Sequence, residues 1–205
     1  GMIGTTSQAA NQIALSLASL TFMFAMGLSV TAMIRIGNQK GLNDYVTLRK
    51  VAISIFLLTI IIEVVFALLF VALHTTLPYI FVDINDVTNL TENLEVIAIS
   101  ANLLLVAAVF QISDGLQVVV LGALRGLQDA KIPMYITFVA YWVIGFPISI
   151  YLGLETELKA IGVWIGLLAG LTAAAIFLYI RFNYLTKKLV QIQTNPEASG
   201  QVQLQ

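Results

Sequence analysis

The sequence predicts an all-α membrane protein, a polytopic bundle of five transmembrane helices. Hydrophobic residues make up 59% of the 205 residues and charged residues only 10%, whereas soluble domains carry about 25% charged residues. The mean hydropathy is +0.94. The apolar residues also fall into five stretches, each long enough for the helix of about 20 residues that crosses a bilayer. These three observations exclude an ordinary soluble domain.

Charges, prolines and polar clusters separate the five stretches. The first contains no charged residue before Arg35, the second is interrupted only by Glu63, and the third carries Asp114 within VAAVFQISDGLQVVVLGALRG. The fourth contains WVIGFP, and the fifth contains the small residues of IGVWIGLLAGLTA. The predicted spans are approximately residues 12–34, 51–73, 96–124, 132–152 and 160–180. Residues 1–188 are predicted to form one membrane domain, and the polar segment 189–205 a disordered cytoplasmic tail.

The basic residues predict the orientation of the bundle. Alternation through five spans places nine of the ten on one side: Arg35, Lys40, Arg49, Lys50, Arg125, Lys131, Arg181, Lys187 and Lys188. Only Lys159 falls on the other side. Because loops rich in Lys and Arg stay in the cytoplasm, we expect the N-terminus outside and the C-terminus in the cytoplasm.

Several classes of function are disfavoured by composition and motifs. The absence of cysteine excludes disulfides and cysteine metal sites, and the single histidine, His74, cannot build a multi-histidine site. The net charge of −1 gives no indication of a nucleic-acid partner. The sequence contains no phosphate-binding loop, nucleophile elbow or HExxH motif. We therefore expect neither an enzyme nor a cofactor.

Ionisable residues inside the spans are the candidate binding residues, because hydrocarbon makes them costly to keep. Asp114 is the first, and Gln111 and Gln117 lie three residues to either side, where their amides can approach its face of the helix. Glu63 is the second buried carboxylate. The same residues also fit a polar cluster that only joins helices by hydrogen bonds.

Two further pairs are candidates for structural or gating roles. Arg125 and Asp129 are spaced four apart and can form an ion pair if the helix continues. Gly145 and Pro147 lie inside the fourth span, where proline removes a backbone hydrogen bond and kinks the helix. The kink is either a static bend or a hinge for alternating access.

Three segments together resemble the C-terminal lobe of the multidrug and toxic compound extrusion (MATE) transporters: NQIALSLASLTFMFAMGLSVTAMIRIGNQKG, QISDGLQVVVLGALRGLQDAKIP and YWVIGFPISIYLG. The resemblance implies helices eight to twelve of a fold with twelve helices in two lobes. It also accounts for the odd number of predicted spans and for the N-terminus predicted outside. In many members the aspartate that matches Asp114 contributes to cation binding. Phe110 stands where some Na⁺-linked relatives have tyrosine, so the coupling ion, H⁺ or Na⁺ (with a Na⁺ site at Asp114), stays open.

The resemblance implies a secondary active antiporter that exports cationic organic compounds and drugs in exchange for H⁺ or Na⁺. Its expected location is the plasma (inner) membrane. Its expected partners are the lipid bilayer, small cationic substrates, and a missing N-terminal lobe or a second copy of the chain. A lipid-linked precursor flippase of the same superfamily and a non-transporting truncated membrane protein are the alternatives.

Overall fold

The computed structural model describes residues 5–82 and 89–194. Its elements are α1 (Thr5–Gly41), α2 (Tyr45–Leu73), a 3-10 turn (Leu77–Ile80), α3 (Leu90–Gly126), α4 (Lys131–Val139), a π-helical turn (Ala140–Gly145), α5 (Phe146–Leu154) and α6 (Lys159–Thr194). These residues contain no strand. Five helices are long and apolar enough to cross a membrane, α4 and α5 together forming the fourth. The predicted all-α membrane bundle is confirmed, and its orientation stays a prediction.

Several helices extend beyond the predicted spans. α1 begins at Thr5, α3 begins at Leu90, and α6 continues to Thr194. Residues 189–194, predicted as part of a disordered tail, are therefore helical, and residues 195–205 lie outside the described residues. Hydropathy marks only the part of a helix that lies in hydrocarbon. A helix satisfies its own backbone hydrogen bonds and can continue into water through polar residues such as those of QIQT.

Helices α1 and α3 pack closely along their C-terminal halves. A Cβ atom added to Gly126 would lie 2.6 Å from the backbone oxygen of Met33, and one added to Gly122 would overlap Ser29. Because the two glycines lack side chains, the helix backbones approach each other closely, as small-xxx-small pairs permit in membranes. The Ser29 hydroxyl uses this proximity to donate a hydrogen bond of 2.8 Å to the carbonyl of Val118.

The last helix packs against the fourth span through a second set of glycines. Cβ atoms added to Gly162 and Gly166 would overlap the backbone of α5, at Leu152 and Ser149. A Cβ atom on Gly170 would lie 2.9 Å from the Cα atom of Gly145. The glycines of α6 therefore form a groove for the fourth span. This face of α6 has no side chains, so the α5 backbone can approach it closely.

The apolar core consists of two clusters separated along the bundle. One cluster contains residues from the N-terminal parts of α1, α3 and α6 with the C-terminal part of α2, and it includes Leu17, Phe70 and Leu104. The other contains the opposite ends of the same helices, including Leu48 and Phe182. Between the clusters the buried side chains of α2 and α3 are polar, and they form a polar layer of Thr59, Glu63, Gln111 and Gln117. This polar layer lies halfway along the helices.

Candidate functional site

Glu63 lies in the polar layer on α2 and is almost completely buried, with 1% of its surface exposed. Neither carboxylate oxygen has a hydrogen-bond partner in the structure. The side chain rests on α3 at Gly115, where an added Cβ atom would lie 2.6 Å from Oε1 of Glu63. The glycine therefore creates the space that the carboxylate occupies.

Asp114 precedes that glycine on α3 and is only half-buried. Both carboxylates line one small cavity, together with Thr21, Phe110 and Gln111. The cavity has a volume of about 10 Å³, which is close to the space that a single water molecule needs. An organic molecule does not fit inside it, whereas one small ion does.

The remaining polar groups of the cavity include free acceptors. Gln111 is 3% exposed, and neither its amide nitrogen nor its amide oxygen has a hydrogen-bond partner. The hydroxyl of Thr21 donates a hydrogen bond of 2.9 Å to the carbonyl of Ala18, which leaves the lone pairs of its oxygen available. Residues that carry carboxylate, amide and hydroxyl oxygens therefore line one cavity, and such oxygens are the ligands that hard cations prefer.

None of the residues that line the cavity in the described part of the chain is basic. An ionised carboxylate that is buried without a partner costs several kcal/mol, and in the membrane interior the cost is not relieved by water. Glu63 must therefore be neutralised by a proton or by a bound cation, and Asp114 adds a second carboxylate to the same cavity. This requirement makes the cavity a candidate cation site.

Of the four residues predicted to bind cations, the structure brings three together: Glu63, Gln111 and Asp114. Gln117 is also buried, but its side-chain oxygen accepts a hydrogen bond of 3.0 Å from the Tyr141 hydroxyl of the π-helical turn. It joins α3 to the fourth span and does not line the cavity.

The ion pair expected between Arg125 and Asp129 is not formed. It required the helix to continue, but α3 ends at Gly126, and Gln128 has a left-handed backbone with φ of 62°. Asp129 is turned toward α6, where its carboxylate accepts a hydrogen bond of 2.8 Å from Nε of Arg181. The pair thus joins the connection between α3 and α4 to α6 at the predicted cytoplasmic end, and Arg125 is exposed.

Gly145 and Pro147 lie at the widened turn of the fourth span. The backbone N–H of Phe146 bonds to the carbonyl of Tyr141, five residues back. Proline has no N–H to donate and its ring crowds the carbonyl four residues earlier, which explains a π-helical turn at this place. Gly145 packs on α6 at Gly170. Whether the turn acts as a hinge stays a prediction.

Sequence reasoning missed two members of the site, Thr21 and Gly115. A threonine within an apolar span is common and gave no signal, because its hydroxyl can bond to its own helix. The signal for Gly115 was its position directly after the intramembrane aspartate. Its role depends on which residue of α2 faces it, and that pairing cannot be read from a single helix.

Comparison with known proteins gives matches of one kind. A model of the MatE family matches residues 1–151. The probable multidrug resistance protein NorM of Agrobacterium fabrum is 38% identical over 188 residues, which cover 92% of this chain and 40% of that protein. The protein of the same description from Rhodopseudomonas palustris is 40% identical over 182 residues, 89% of this chain and 37% of its own length.

A solved structure, that of the eukaryotic MATE transporter AtDTX14, has the same fold over this region. The TM-score is 0.77 with 19% sequence identity, and the match covers 90% of this chain and 40% of that chain. The chain therefore spans about two fifths of the length of these relatives.

Proposed function

Because the chain belongs to the MatE family, we propose that the protein containing it is a secondary active antiporter that exports cationic organic compounds in exchange for H⁺ or Na⁺. It is a multi-pass membrane protein with five helices that can span the bilayer. Its relatives are described as multidrug resistance proteins, which favours a transporter of drugs over an enzyme. The proposed location is the plasma (inner) membrane, with the basic ends of the helices in the cytoplasm.

The observation that carries the proposal is the pair of carboxylates in the polar layer. Glu63 and Asp114 line one cavity that has no basic residue among its described lining residues. Such a cavity attracts cations, because two unneutralised carboxylates in a low-dielectric medium are strongly unfavourable. A site for an anionic or phosphate-bearing substrate would need basic residues instead, which argues against a lipid-linked precursor flippase.

Exchange follows from competition for Asp114. A cationic substrate and the coupling ion cannot both neutralise one carboxylate, so binding of the ion releases the substrate. Asp114 is half-buried while Glu63 is buried, so a substrate too large for the cavity can reach only Asp114. The proposed roles are substrate contact at Asp114, and orientation of neighbouring polar groups by Gln117 through its bond to Tyr141.

The proposal is tested with Asp114→Asn in the full protein that carries this sequence. Inverted vesicles with an imposed outward H⁺ or Na⁺ gradient are given a fluorescent lipophilic cation in the medium, and the initial rate of its uptake is compared with that of vesicles carrying the unchanged protein. We expect at least about a tenfold loss of rate, corresponding to about 1.4 kcal/mol of lost stabilisation.

Asp44→Asn is the matched control, because it removes a carboxylate outside the spans and keeps a residue that caps a helix. It should transport at the rate of the unchanged protein. If Asp114→Asn reaches the membrane in normal amount and still transports at that rate, the assignment of the substrate site is wrong. If the unchanged protein shows no transport under either gradient, the non-transporting alternative is favoured.

A further inference from the structure

The surface that α4 and α6 share at the predicted cytoplasmic end carries charge for which the proposed exchange has no use. The two helices are in contact, and we call the surface formed by residues 129–138 and 177–188 the α4–α6 face. Residues 125–140 and 172–194 contain one acidic residue, Asp129, against five basic residues: Arg125, Lys131, Arg181, Lys187 and Lys188. The three lysines are exposed, and no ion pair involves them among the described residues. A surface with this excess of positive charge attracts anions.

The pair of Asp129 and Arg181 brings basic residues of the two helices together. Nε of Arg181 donates a hydrogen bond of 2.8 Å to the carboxylate of Asp129. Lys131 begins α4 two residues after Asp129, which is at most about 7 Å along the chain. Lys188 lies seven residues after Arg181, two turns further on the same side of α6. Three basic side chains from two helices therefore flank one place on the surface.

Arg181 has hydrogen-bond donors to spare. A guanidinium group carries five N–H donors, and the bond to Asp129 uses only the one on Nε. The four on the terminal nitrogens have no acceptor among the described residues. The guanidinium carbon also lies 6.0 Å from the centre of the Tyr184 ring. The carboxylate and the ring thus hold the group in place, and its free donors form a fork that suits phosphate oxygens.

The order of the exposed side chains along both helices matches the order of the parts of a phospholipid. Toward the C-terminus of α6 they change from apolar to aromatic to basic: Ile180, Tyr184 and Lys188. Along α4, which runs in the opposite direction, they change from basic to aromatic: Lys131, Tyr135 and Phe138. Tyrosine is enriched where hydrocarbon meets the headgroups. Apolar surface for acyl chains, tyrosines for the interface and basic groups for a phosphate therefore follow one another on the α4–α6 face.

We propose that the α4–α6 face binds the headgroup of one anionic phospholipid of the cytoplasmic leaflet, with Lys131, Arg181 and Lys188 around its phosphate. Basic pockets between spans on the cytoplasmic side bind anionic headgroups in this way. A zwitterionic lipid is disfavoured, because its ammonium group would bring a further positive charge to a basic surface. The inference goes beyond the proposed antiport and does not depend on it.

The test is equilibrium binding of phosphatidylglycerol with a fluorescent acyl chain to the purified full protein in micelles of an uncharged detergent. Binding is followed by fluorescence anisotropy at constant ionic strength. We expect it to saturate as the mole fraction of the lipid in the micelles rises. Unlabelled phosphatidylglycerol should displace the probe, whereas phosphatidylcholine and inorganic phosphate should not.

A pair of double variants makes the test specific for this surface. Lys131→Gln with Lys188→Gln should weaken binding by about tenfold or more, because each basic residue near an anionic lipid contributes about a fivefold factor. Arg35→Gln with Lys50→Gln is the matched control, since it removes the same charge from exposed residues at the same predicted end of α1 and α2. It should bind within about twofold of the unchanged protein, because charges beyond about 10 Å are screened.

Thermal unfolding in the same detergent shows whether the variants are folded. Without lipid, both double variants should have the midpoint of the unchanged protein, because all four residues are exposed. Added phosphatidylglycerol should raise the midpoint of the control variant more than that of the Lys131 and Lys188 variant, since a ligand of the folded state stabilises it. If that variant melts early, Lys131→Gln and Lys188→Gln are tested singly, each with an expected loss of about fivefold.

The inference is overturned if phosphatidylcholine displaces the probe as well as phosphatidylglycerol does, which would indicate ordinary lipid contact. Displacement by inorganic phosphate would indicate a site for a free anion and overturns it as well. Equal affinities of the two double variants would assign the binding to overall charge and not to the α4–α6 face. No step uses transport, so the result is independent of whether the full protein exports cations.

Discussion

Substitution of Gly115 by alanine tests the contact on which the site depends. The added Cβ atom would lie 2.6 Å from Oε1 and 2.8 Å from both Cγ and Cδ of Glu63, so the buried side chain must move. Overpacking of this kind costs about 1–3 kcal/mol, while alanine gains about 1 kcal/mol over glycine inside a helix. The expected net effect is a destabilisation of up to about 2 kcal/mol, after the helix gain is subtracted.

Gly27→Ala on α1 is the control, because a Cβ atom there meets nothing within 4 Å. Gly27→Ala has the same gain in helix propensity but no collision with a neighbouring side chain. The free energies of unfolding of the two variants should therefore differ by about 1–3 kcal/mol. The assay is the apparent midpoint of thermal unfolding at a fixed scan rate in detergent, where a domain of this size shifts by about 2–4 °C per kcal/mol. We expect Gly115→Ala to melt several degrees below Gly27→Ala.

A double variant separates the collision from any other effect of the methyl group. When Glu63 is already alanine, Gly115→Ala should become neutral or stabilising, and the two changes should show a coupling energy of at least about 1 kcal/mol. Equal midpoints for Gly115→Ala and Gly27→Ala, with no coupling to Glu63, would refute the proposed packing of the carboxylate on the glycine.

Three other predictions concern the ends and the packing of the bundle. Arg181→Gln should lower the free energy of unfolding by about 1 kcal/mol, because its ion pair with Asp129 is only partly buried. Adding Asp129→Asn to this variant should cause no further loss. Gly166→Ala should cost about 1–3 kcal/mol or more in the same assay, since its methyl group meets backbone that cannot turn away. Hydrogen bonds from the side chain and backbone of Thr47 hold the pKa of Asp44 below its ordinary value of 3.8. The cap is therefore present at neutral pH and lost as the pH falls through that lowered pKa, below about pH 4. Protection factors for hydrogen exchange in the first turn of α2 should fall there, and Asp44→Asn should abolish this dependence.

The five spans were predictable because each is a continuous apolar segment of the chain. A helix that crosses hydrocarbon needs a long apolar run, and the spans of α2 and α3 remain recognisable with a single carboxylate inside. The helix ends were not predictable to the same degree. α6 continues through polar residues to Thr194. Hydropathy could not predict this end, because it reports where a helix meets hydrocarbon and carries no information on where the helix stops.

The site was predictable only as a set of residue types. Glu63, Gln111 and Asp114 stood out because polar groups are costly within a span. Their meeting depends on the rotation of α2 against α3, which Gly115 permits and which no periodicity within one helix reveals. The same limit explains Gln117: its spacing from Asp114 matched that of Gln111, and the difference arises from Tyr141 on a third helix.

The polar layer between the two apolar clusters has a consequence for biosynthesis. Glu63 precedes α3, which supplies the glycine beneath it, in the order of synthesis. A charged residue at the centre of an inserting helix costs about 2.5–3.5 kcal/mol, and each central Leu, Ile, Val or Phe returns about 0.3–0.6 kcal/mol. Of the 22 other residues between positions 51 and 73, 17 are of these four types. On these values the apolar residues of α2 offset the cost of the charge, so its exposed leucines and isoleucines favour membrane insertion before they have any neighbour to pack against.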